Sequence, residues 1–368
     1  MSAEAGFDIR LATRDDERDI RALVGSVAMP GDVAVRFERE PDYFLGTTIM
    51  GDPCDVIVGR HRADGRLAGI ACRAERTAFA NGEEARVGYI GQIRIAEEYR
   101  GNWLVPRGAK LVREMSPPGL IYFGVIAREN PRARQLLVGP RPPLGLRAVR
   151  LAGLTTCAIL LRPRRPWSAP GLDVRPATPE QLPEIVAFLR RRGPRRQLFP
   201  AYTVENFTGG ERLRDLAPDD VMVARRGSAI VGTMAAWDQS AYKQDVVDAY
   251  GPALRRLTPL YNLGAPLIRA RQLTPPGAAM PLAFAACICV ADDDPNVMRA
   301  LVAACARHAY DRAKAYLMLG LADSDPLLPV AERFLHVTYR SDLYALSWTA
   351  DPAAVLGDRV PYIEIATL

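Results

Sequence analysis

Three apolar stretches early in the chain are separated by short turn signals. Residues 55–60 form the first, residues 67–73 begin the second, and residues 87–95 form the third. Asp64-Gly65 lies in the first gap and Asn81-Gly82 in the second. These dipeptides favour the tight turns of antiparallel hairpins. The pattern therefore predicts three antiparallel strands in succession.

The third stretch runs directly into the segment Ala-Glu-Glu-Tyr-Arg-Gly, residues 96–101. We interpret its Arg100-Gly101 step as the start of a helix. The first N–H groups of a helix have no partner within it, and the helix dipole places about half a positive charge there. This junction is therefore predicted to bind an anionic group.

Further strands and helices flank this region. Residues 9–24 have the pattern of a short strand followed by a helix. Downstream, residues 120–127 form an uninterrupted apolar run, and residues 128–137 follow with a helical pattern. Such a run between turn signals is typical of a buried strand.

The second half of the chain repeats this order of elements. Residues 172–189 restate the first strand and helix, and residues 221–236 restate a hairpin. The later elements are predicted to be a strand at 282–290, a helix at 295–315, and strands at 316–321 and 344–348. Self-similarity on this scale indicates a duplicated domain.

A segment rich in Pro and Arg, residues 161–171, separates the two copies. We therefore predict an N-terminal domain at residues 1–160, a linker at 161–171 and a C-terminal domain at 172–368. A chain of 368 residues suits two domains that each bury a core of their own.

The ordered set of elements resembles the GNAT-type N-acetyltransferase superfamily, present here in tandem. The carriers of the resemblance are the apolar strand at residues 87–95, the acidic-aromatic-Arg-Gly step after it, and Asn130 with Ala133 after the next strand. The resemblance implies an α/β (α+β) fold of two domains, each with a mixed, largely antiparallel central sheet flanked by helices. It also implies acetyl-CoA or another acyl-CoA as co-substrate, bound by the N-terminal domain.

The residues that match the family's donor-binding motif follow from this resemblance. They are expected to be Ile93, Arg94, Ile95, Arg100, Gly101, Asn102, Trp103, Leu104, Val105 and Asn130. The chain departs from the family at two of these positions, because Trp103 and Val105 stand where small residues, chiefly Gly, are usual. Glycine at those positions permits close approach of the backbone to a phosphate.

Candidates for proton transfer are few. No carboxylate or His lies within residues 87–95, and Leu136 and Leu137 stand where the family has a Tyr. The nearest polar groups are Gln92, Tyr89 and Tyr99, which we name as the catalytic candidates. A proton would leave through Gln92, Tyr89 and ordered water, or through a residue of the C-terminal domain.

Two charged runs mark the second copy. Asp292, Asp293 and Asp294 replace the Arg-Gly step, so the C-terminal domain is not expected to bind CoA, since like charges repel a pyrophosphate. Residues 190–196 hold five arginines at the end of a predicted helix, where cations are favoured. The alternatives for this basic run are an anionic acceptor or the 3′-phosphate of CoA.

An insertion at residues 238–280 carries an apolar stripe at helical spacing. Its members are Tyr242, Val246, Val247, Tyr250 and Leu254. We predict an amphipathic helix that packs on the core. Asp238 and Asp245 on its polar side are candidates to meet a cationic acceptor.

Composition narrows the possible partners and compartments. The net charge is +6, and 45 of the 48 basic residues are Arg. Aromatic residues do not interleave with the arginines of the basic run, so we expect no nucleic-acid partner. Prolines interrupt the uncharged residues 273–291, so no membrane partner is expected. The cysteines are not spaced to form disulfide bonds, which indicates reduced thiols and a cytoplasmic protein. No metal site is predicted, because the His and Cys residues lack ligand-like spacing.

Three functional hypotheses follow. The first is a bacterial-type tandem GNAT N-acyltransferase, most readily an N-acetyltransferase, that acts on a small-molecule amine. The second is a catalytically degenerate tandem GNAT that binds a ligand or serves as a scaffold. The third is an acyl- or aminoacyl-transferase that uses a different donor. The sequence carries no signal for the oligomeric state.

Overall fold

A computed structural model describes residues 6–29, 31–101, 104–138, 144–163, 167 and 169–368. The strands of the first half are β1 (Phe7–Leu11), β2 (Ala28–Met29), β3 (Val33–Glu38), β4 (Cys54–His61), β5 (Leu67–Ala80), β6 (Glu83–Ile95), β7 (Tyr122–Ala127) and β8 (Arg147–Leu160). Those of the second half are β9 (Asp173–Pro176), β10 (Phe199–Pro200), β11 (Val221–Arg226), β12 (Ala229–Trp237), β13 (Gln244–Tyr250), β14 (Leu282–Val290), β15 (Tyr316–Ala322) and β16 (His336–Ser347).

The helices are distributed over both halves. They are α1 (Glu17–Ser26), α2 (Leu104–Met115), α3 (Pro131–Val138), α4 (Leu182–Arg192), α5 (Val204–Phe207), α6 (Pro252–Gly264), α7 (Pro295–Asp311), α8 (Leu328–Ala331) and α9 (Pro352–Val355). Together with the sheets they form a mixed α/β fold, as predicted.

One large sheet runs through both halves. Its order is β1-β4-β5-β6-β7-β16-β8-β15-β14-β12-β11-β9. The two halves have equivalent strand pairings: β6 pairs in parallel with β7, and β14 pairs in parallel with β15. The predicted internal repeat is therefore visible in the strand order. The boundaries proposed for the two domains and the linker stay predictions.

The halves exchange their last strands at the centre of this sheet. β16, from the second half, pairs with β7 of the first half. β8, from the first half, pairs with β15 of the second. β8 and β16 also pair with each other along their length. Local sequence patterns do not specify such partners, so the exchange is not predictable from them.

Both predicted hairpin turns are confirmed. β4 and β5 are joined at Asp64-Gly65, with Gly65 at φ +70°. β5 and β6 are joined at Asn81-Gly82, with both φ values positive, at 54° and 90°. Two successive positive φ angles match the right-handed twist of the flanking strands, which explains the Asn-Gly pair.

The predicted helix over residues 242–254 is wrong. Residues Gln244–Tyr250 form β13, which pairs with β3 of the first half, and β2 completes a small three-stranded sheet. The helix α6 begins only at Pro252. Pairing with β3 outweighs the local spacing here, because strand formation depends on tertiary partners.

The two faces of the main sheet carry different layers. The α1 side chains Ile20 and Val24 share a core with Ile70 and Cys72 of β5. On the opposite face, α2 is held by Leu104, whose side chain lies over the neighbouring glycines Gly59 and Gly69. A methyl group on either glycine would collide with Leu104. These glycines therefore fix the start of α2 against β4 and β5.

Candidate functional site

A β-bulge interrupts β6 near its end. Gly91 lies opposite Cys72 and Arg94 opposite Ile70, so two β6 residues, Gln92 and Ile93, face the single β5 residue between. Gln92 has the left-handed φ of 53°. A bulge takes residues out of the regular ladder and turns their main-chain groups in a new direction. The predicted catalytic candidate Gln92 thus lies at the point where the strand offers its N–H groups.

β6 and β7 separate beside this bulge. They pair only at Gly88 with Tyr122 and at Tyr89 with Phe123. Beyond these pairs the strands splay apart, and the Ile93 side chain is 46% exposed. An apolar residue so exposed at the centre of a sheet marks an open groove between the strands. We call the space between residues 90–95 of β6 and 124–127 of β7 the first groove.

Tyr89 is the phenol nearest to the bulge. Its ring is buried and packs on Phe123 with 5.2 Å between the ring centroids. Its hydroxyl lies over the Cα of Gly91, where a methyl group would collide with it. Burial raises the pKa of Tyr89 above its ordinary value.

Tyr99, the other predicted phenol, lies apart from Tyr89. Its ring contacts Phe7 at 5.7 Å and His61 at 5.3 Å between centroids, at the β1 edge of the sheet. Its hydroxyl donates to Asp64 at 3.3 Å. Tyr99 therefore has a packing role at this edge of the sheet and does not lie at the bulge.

The predicted phosphate loop joins β6 to α2. A single 3₁₀ turn at Glu97–Tyr99 ends at Arg100, which is exposed and 3.9 Å from Glu97. Gly101 has φ +88°, which a residue with a side chain rarely adopts. Asn102 and Trp103 lie outside the described residues. The loop therefore presents one exposed cation and the N-terminal turn of α2.

The remaining predicted donor-site residues take different positions. Leu104 is buried as the anchor of α2, and Val105 follows it half-buried in the same turn. Ile95 packs beside Leu104 and Tyr99. Asn130 caps α3, because its Oδ1 accepts from the Ala133 N–H at 3.0 Å. The structure thus gives Ile95, Leu104 and Asn130 packing or capping contacts within the fold.

The second half has a bulge at the equivalent place on β14. Cys289 pairs with Thr233 and Ala286 with Ala235, which leaves Cys287 and its neighbour as the bulged residues. Cys287 has φ 51°, close to the value at Gln92. The two halves therefore share the backbone feature as well as the strand order.

The chain's own tail closes the second groove, the space between β14 and β15. The Cys287 N–H donates to Glu364 Oε2 at 2.8 Å, and the Ile288 N–H donates to the Tyr362 hydroxyl at 3.1 Å. Ile288, the counterpart of the exposed Ile93, is only 5% exposed. A carboxylate and a phenol of this chain thus take the place at the second bulge.

The two charged runs noted in the sequence pair with each other. Arg195 donates to Asp292 at 2.8 Å, Arg192 donates to the same carboxylate at 3.1 Å, and Arg196 donates to Asp293 at 2.6 Å. These arginines hold the pKa of Asp292 below its ordinary value. The basic run is therefore matched by acidic residues at the turn between β14 and α7.

A group of buried charges lies between the small sheet and the first bulge. It consists of Arg39 after β3, Arg94 of β6, and Lys243 and Asp245 at the start of β13. The Lys243 ammonium donates to the main-chain oxygens of Ala366 and Leu368, at 3.0 and 3.1 Å. Of the two acids proposed to meet an acceptor, Asp238 is paired with Lys314 at 2.5 Å, and Asp245 belongs to this group.

The sequence pointed to two of these four residues, Asp245 as an acceptor contact and Arg94 as a donor-binding residue. It did not point to Arg39, which stands between β3 and a turn with no motif around it, or to Lys243, which lies in the segment wrongly predicted to be a helix. In the described part of the chain, no cluster of three His, Cys, Asp or Glu residues is arranged for a metal ion. No helix within the described ranges is long and apolar enough to cross a membrane.

Comparison with solved structures gives matches over nearly the whole chain. A GCN5-related N-acetyltransferase from Sphaerobacter thermophilus matches with a TM-score of 0.56 and 13% identity, over 98% of both chains. N-myristoyltransferase from Saccharomyces cerevisiae, solved with bound myristoyl-CoA, matches with a TM-score of 0.60 and 11% identity, over 96% of this chain and 81% of that one.

A third match concerns part of a larger protein. The GCN5-related glucosamine N-acetyltransferase region of a fungal multi-domain GH3 β-N-acetylglucosaminidase gives a TM-score of 0.58 at 13% identity. This match covers 93% of this chain but 38% of the fungal one. No protein-family model and no curated protein sequence matches. Identities of this size establish the fold alone: the chain has the GNAT fold, in the tandem form that N-myristoyltransferase also has.

Proposed function

We propose that the chain is an acyl-CoA-dependent N-acyltransferase whose donor binds in the first groove and whose acceptor is a small amine. The observation that carries the proposal is the difference between the two bulges. Ile93 beside the first bulge is 46% exposed, whereas Ile288 beside the second is 5% exposed under Glu364 and Tyr362. One groove is open to a ligand, and the chain's own tail closes the other.

The first groove has the parts that a thioester donor requires. Main-chain N–H groups at the Gln92 bulge would hydrogen-bond the thioester oxygen and stabilise the negative charge that develops on it. The pantetheine arm would lie between the splayed strands and use their free main-chain groups, as an added strand does. Arg100 and the first turn of α2 would meet the pyrophosphate. The myristoyl-CoA bound by N-myristoyltransferase supports this class of donor.

The reaction is a transfer of the acyl group from sulfur to nitrogen. The neutral amine attacks the thioester carbonyl carbon, the C–S bond breaks, and the amine proton leaves to water while the departing thiolate is protonated. Tyr89 is the candidate for that second proton, because its hydroxyl lies over Gly91 at the bulge and a phenol is protonated near neutral pH. With no carboxylate on residues 87–95, no single strong base is assigned.

Calorimetric titration of the full chain with acetyl-CoA and myristoyl-CoA tests the donor site. We expect one site per chain for at least one of them. Arg100→Glu should abolish binding, because it reverses the charge at the phosphate end. Arg175→Glu is the matched control, since Arg175 is an exposed arginine on β9 of the second half. Two equal sites, or unaltered affinity in Arg100→Glu, would contradict the assignment.

The alternative is ligand binding without turnover. It is favoured by Leu136 and Leu137 in α3, where the family has a phenol, and by the acidic pair Glu97 and Glu98 in the phosphate loop. Release of free CoA in the presence of a panel of amines separates the two functions. A donor that binds with no acceptor-dependent release would favour the binding protein.

A further inference from the structure

Basic side chains lie between the small sheet and β6. Two guanidinium groups lie near the Phe37 ring of β3, with Arg39 at 5.8 Å and Arg94 at 5.5 Å from its centroid. Arg39 is 3% exposed, and Arg94 is half-buried. Lys243, which is buried, adds a third basic side chain, and the buried Asp245 is the carboxylate among them. We call the region formed by these four side chains the cationic chamber.

Neither guanidinium of the chamber pairs with a carboxylate among the residues that the structure describes. Arg39 donates to the Glu38 main-chain oxygen at 2.7 Å, and Arg94 donates to the Ile93 main-chain oxygen at 3.0 Å. The buried Arg94 Nε has no hydrogen-bond acceptor among the described residues. A buried charge without a partner is costly, so natural proteins keep one chiefly where a ligand completes it.

Arg73 shows how this chain treats a buried arginine that serves the fold. It is as buried as Arg39, at 3% exposed. Its guanidinium meets Asp55 at 2.7 Å and the Tyr122 hydroxyl at 2.9 Å, and it also pairs with Glu75. The contrast between Arg73 and Arg39 indicates that Arg39 is kept for a different purpose.

The chamber adjoins the first bulge. Arg94 and Gly91 face the same side of β6, since they lie opposite Ile70 and Cys72, which are two residues apart on β5. On that side the Tyr43 hydroxyl contacts the Cys72 sulfur at 3.2 Å, and the Tyr89 hydroxyl lies over Gly91. A ligand group held by Arg39 and Arg94 is therefore beside the point of acyl transfer.

Hydrogen-bond acceptors without donors lie in the same region. Asp245 Oδ1 and Gln92 Oε1 are both buried and unpartnered in the described part of the chain. Asp245 pairs with Phe37 across the small sheet, so their side chains lie on the same face of that sheet. Donors for an anion therefore lie near two acceptors, Asp245 opposite Phe37 on the small sheet and Gln92 two residues before Arg94 on β6.

We propose that the acceptor is an amine that also carries an anionic group, a carboxylate or a phosphate, which Arg39 and Arg94 bind in the cationic chamber. Asp245 and Gln92 accept hydrogen bonds from its amine. This inference rests on the proposed function for the role of the amine, whereas the anion site stands on the chamber alone. A planar guanidinium suits both anions, because its N–H groups match two oxygens at once.

Anion binding is tested without turnover. Thermal unfolding of the full chain is followed in sodium phosphate and in sodium acetate, each against sodium chloride at equal ionic strength. We expect a rise in Tm in at least one of these salts for the wild type, and loss of that rise in Arg39→Met and in Arg94→Gln. Arg36→Met is the matched control, since Arg36 lies on β3, three residues before Arg39, but pairs with Glu38 and Asp248 at the surface.

Stability without ligand separates a ligand-binding arginine from a structural one. Arg39→Met should unfold at the same or a higher temperature than the wild type, because it removes an unpaired buried charge. Arg73→Met should unfold several degrees lower, because it removes the buried partner of Asp55 and leaves the buried Glu75 with Arg86 alone. If Arg39→Met is as destabilising as Arg73→Met, or if the anion effect persists in both chamber variants, the proposal is wrong.

Matched acceptors test the substrate class. L-Amino acids are compared with their amides, and phosphoethanolamine with ethanolamine, by CoA release. We expect kcat/KM at least about tenfold higher for the anionic member of one pair, and a ratio near one in Arg94→Gln, since a charge-assisted hydrogen bond contributes that much. Equal turnover of both members overturns the inference and leaves the acyltransferase standing. Absence of donor binding overturns the acyltransferase, and the salt experiment still decides the anion site.

Discussion

Glu364 accepts a hydrogen bond from the Cys287 N–H at 2.8 Å and so fills the second bulge with a carboxylate. The same Oε2 accepts from the Tyr202 and Tyr362 hydroxyl groups, each at 2.9 Å. Burial raises the pKa of Glu364 above its ordinary value. One side chain therefore accepts hydrogen bonds from three buried donors and closes the second groove. The corresponding groove of the first half is open.

Glu364→Ala is expected to destabilise the fold, because it leaves those three donors without an acceptor. The loss should be about 3 kcal/mol in the free energy of unfolding, measured by urea denaturation. Glu364→Gln keeps an oxygen in the same place and should retain most of the stability. Equal losses in the two variants would show that the charge of Glu364, rather than its acceptor oxygen, is what matters.

Gly91→Ala should damage the first groove by forcing the new methyl group against the Tyr89 hydroxyl. We expect a cost of about 1–3 kcal/mol, as for other overpacked sites. In a Tyr89→Ala background the same change should cost much less, which a double-mutant cycle measures. Gly108→Ala is the control: its methyl group meets nothing within 4 Å in α2, so a gain of up to about 1 kcal/mol is expected.

Lys243 should make stability depend on pH in a defined window. Burial lowers its pKa from the ordinary 10.5 to about 7. Between these values the unfolded chain holds a proton that the native chain has lost, so the free energy of unfolding rises with pH. One such group contributes at most about 1.4 kcal/mol per pH unit.

The measurement is urea unfolding of the wild type and Lys243→Met between pH 7.5 and about 9.5, below the range in which tyrosines titrate. The substitution should flatten the slope by the contribution of one proton. Parallel slopes in the two proteins would mean that Lys243 keeps its ordinary pKa in the native state.

Residues 1–165 on their own should not form a stable domain. This piece contains β7 and β8 but lacks β16, which lies between them, and β15, which covers the far side of β8. Unpaired strand edges promote aggregation, so we expect an insoluble or unfolded fragment. In contrast, the full chain cut by a protease site inserted at residues 161–171 should keep both pieces together through gel filtration. A soluble fragment with native-like circular dichroism would contradict this prediction.

Local signals predicted a large part of the fold. The Asp64-Gly65 and Asn81-Gly82 turns gave the β4–β5–β6 hairpins, because each dipeptide suits one backbone geometry. The apolar run at residues 87–95 correctly gave the end of β6, but the helix start expected at Arg100-Gly101 is wrong: Arg100 is extended, Gly101 has φ +88°, and α2 begins at Leu104. The bulge within it was not predicted, since Gln92 at φ 53° has no local sequence signal.

Long-range partners account for what the sequence did not reveal. β13 carries a spacing that also fits a helix, and only its pairing with β3, some two hundred residues away, makes it a strand. Arg39 and Glu364 are single residues without a motif, and each has its role through contacts made by distant segments. The acidic and basic runs were noticed, but their pairing required the geometry of the second half.

Because β8 and β16 are exchanged, neither half has a complete set of strands without the other. A lineage that lost the second half would also lose the strand that sits beside β7 at the edge of the first groove. The second half is therefore required for the architecture of the first groove, although Glu364 closes the corresponding groove in the second half itself.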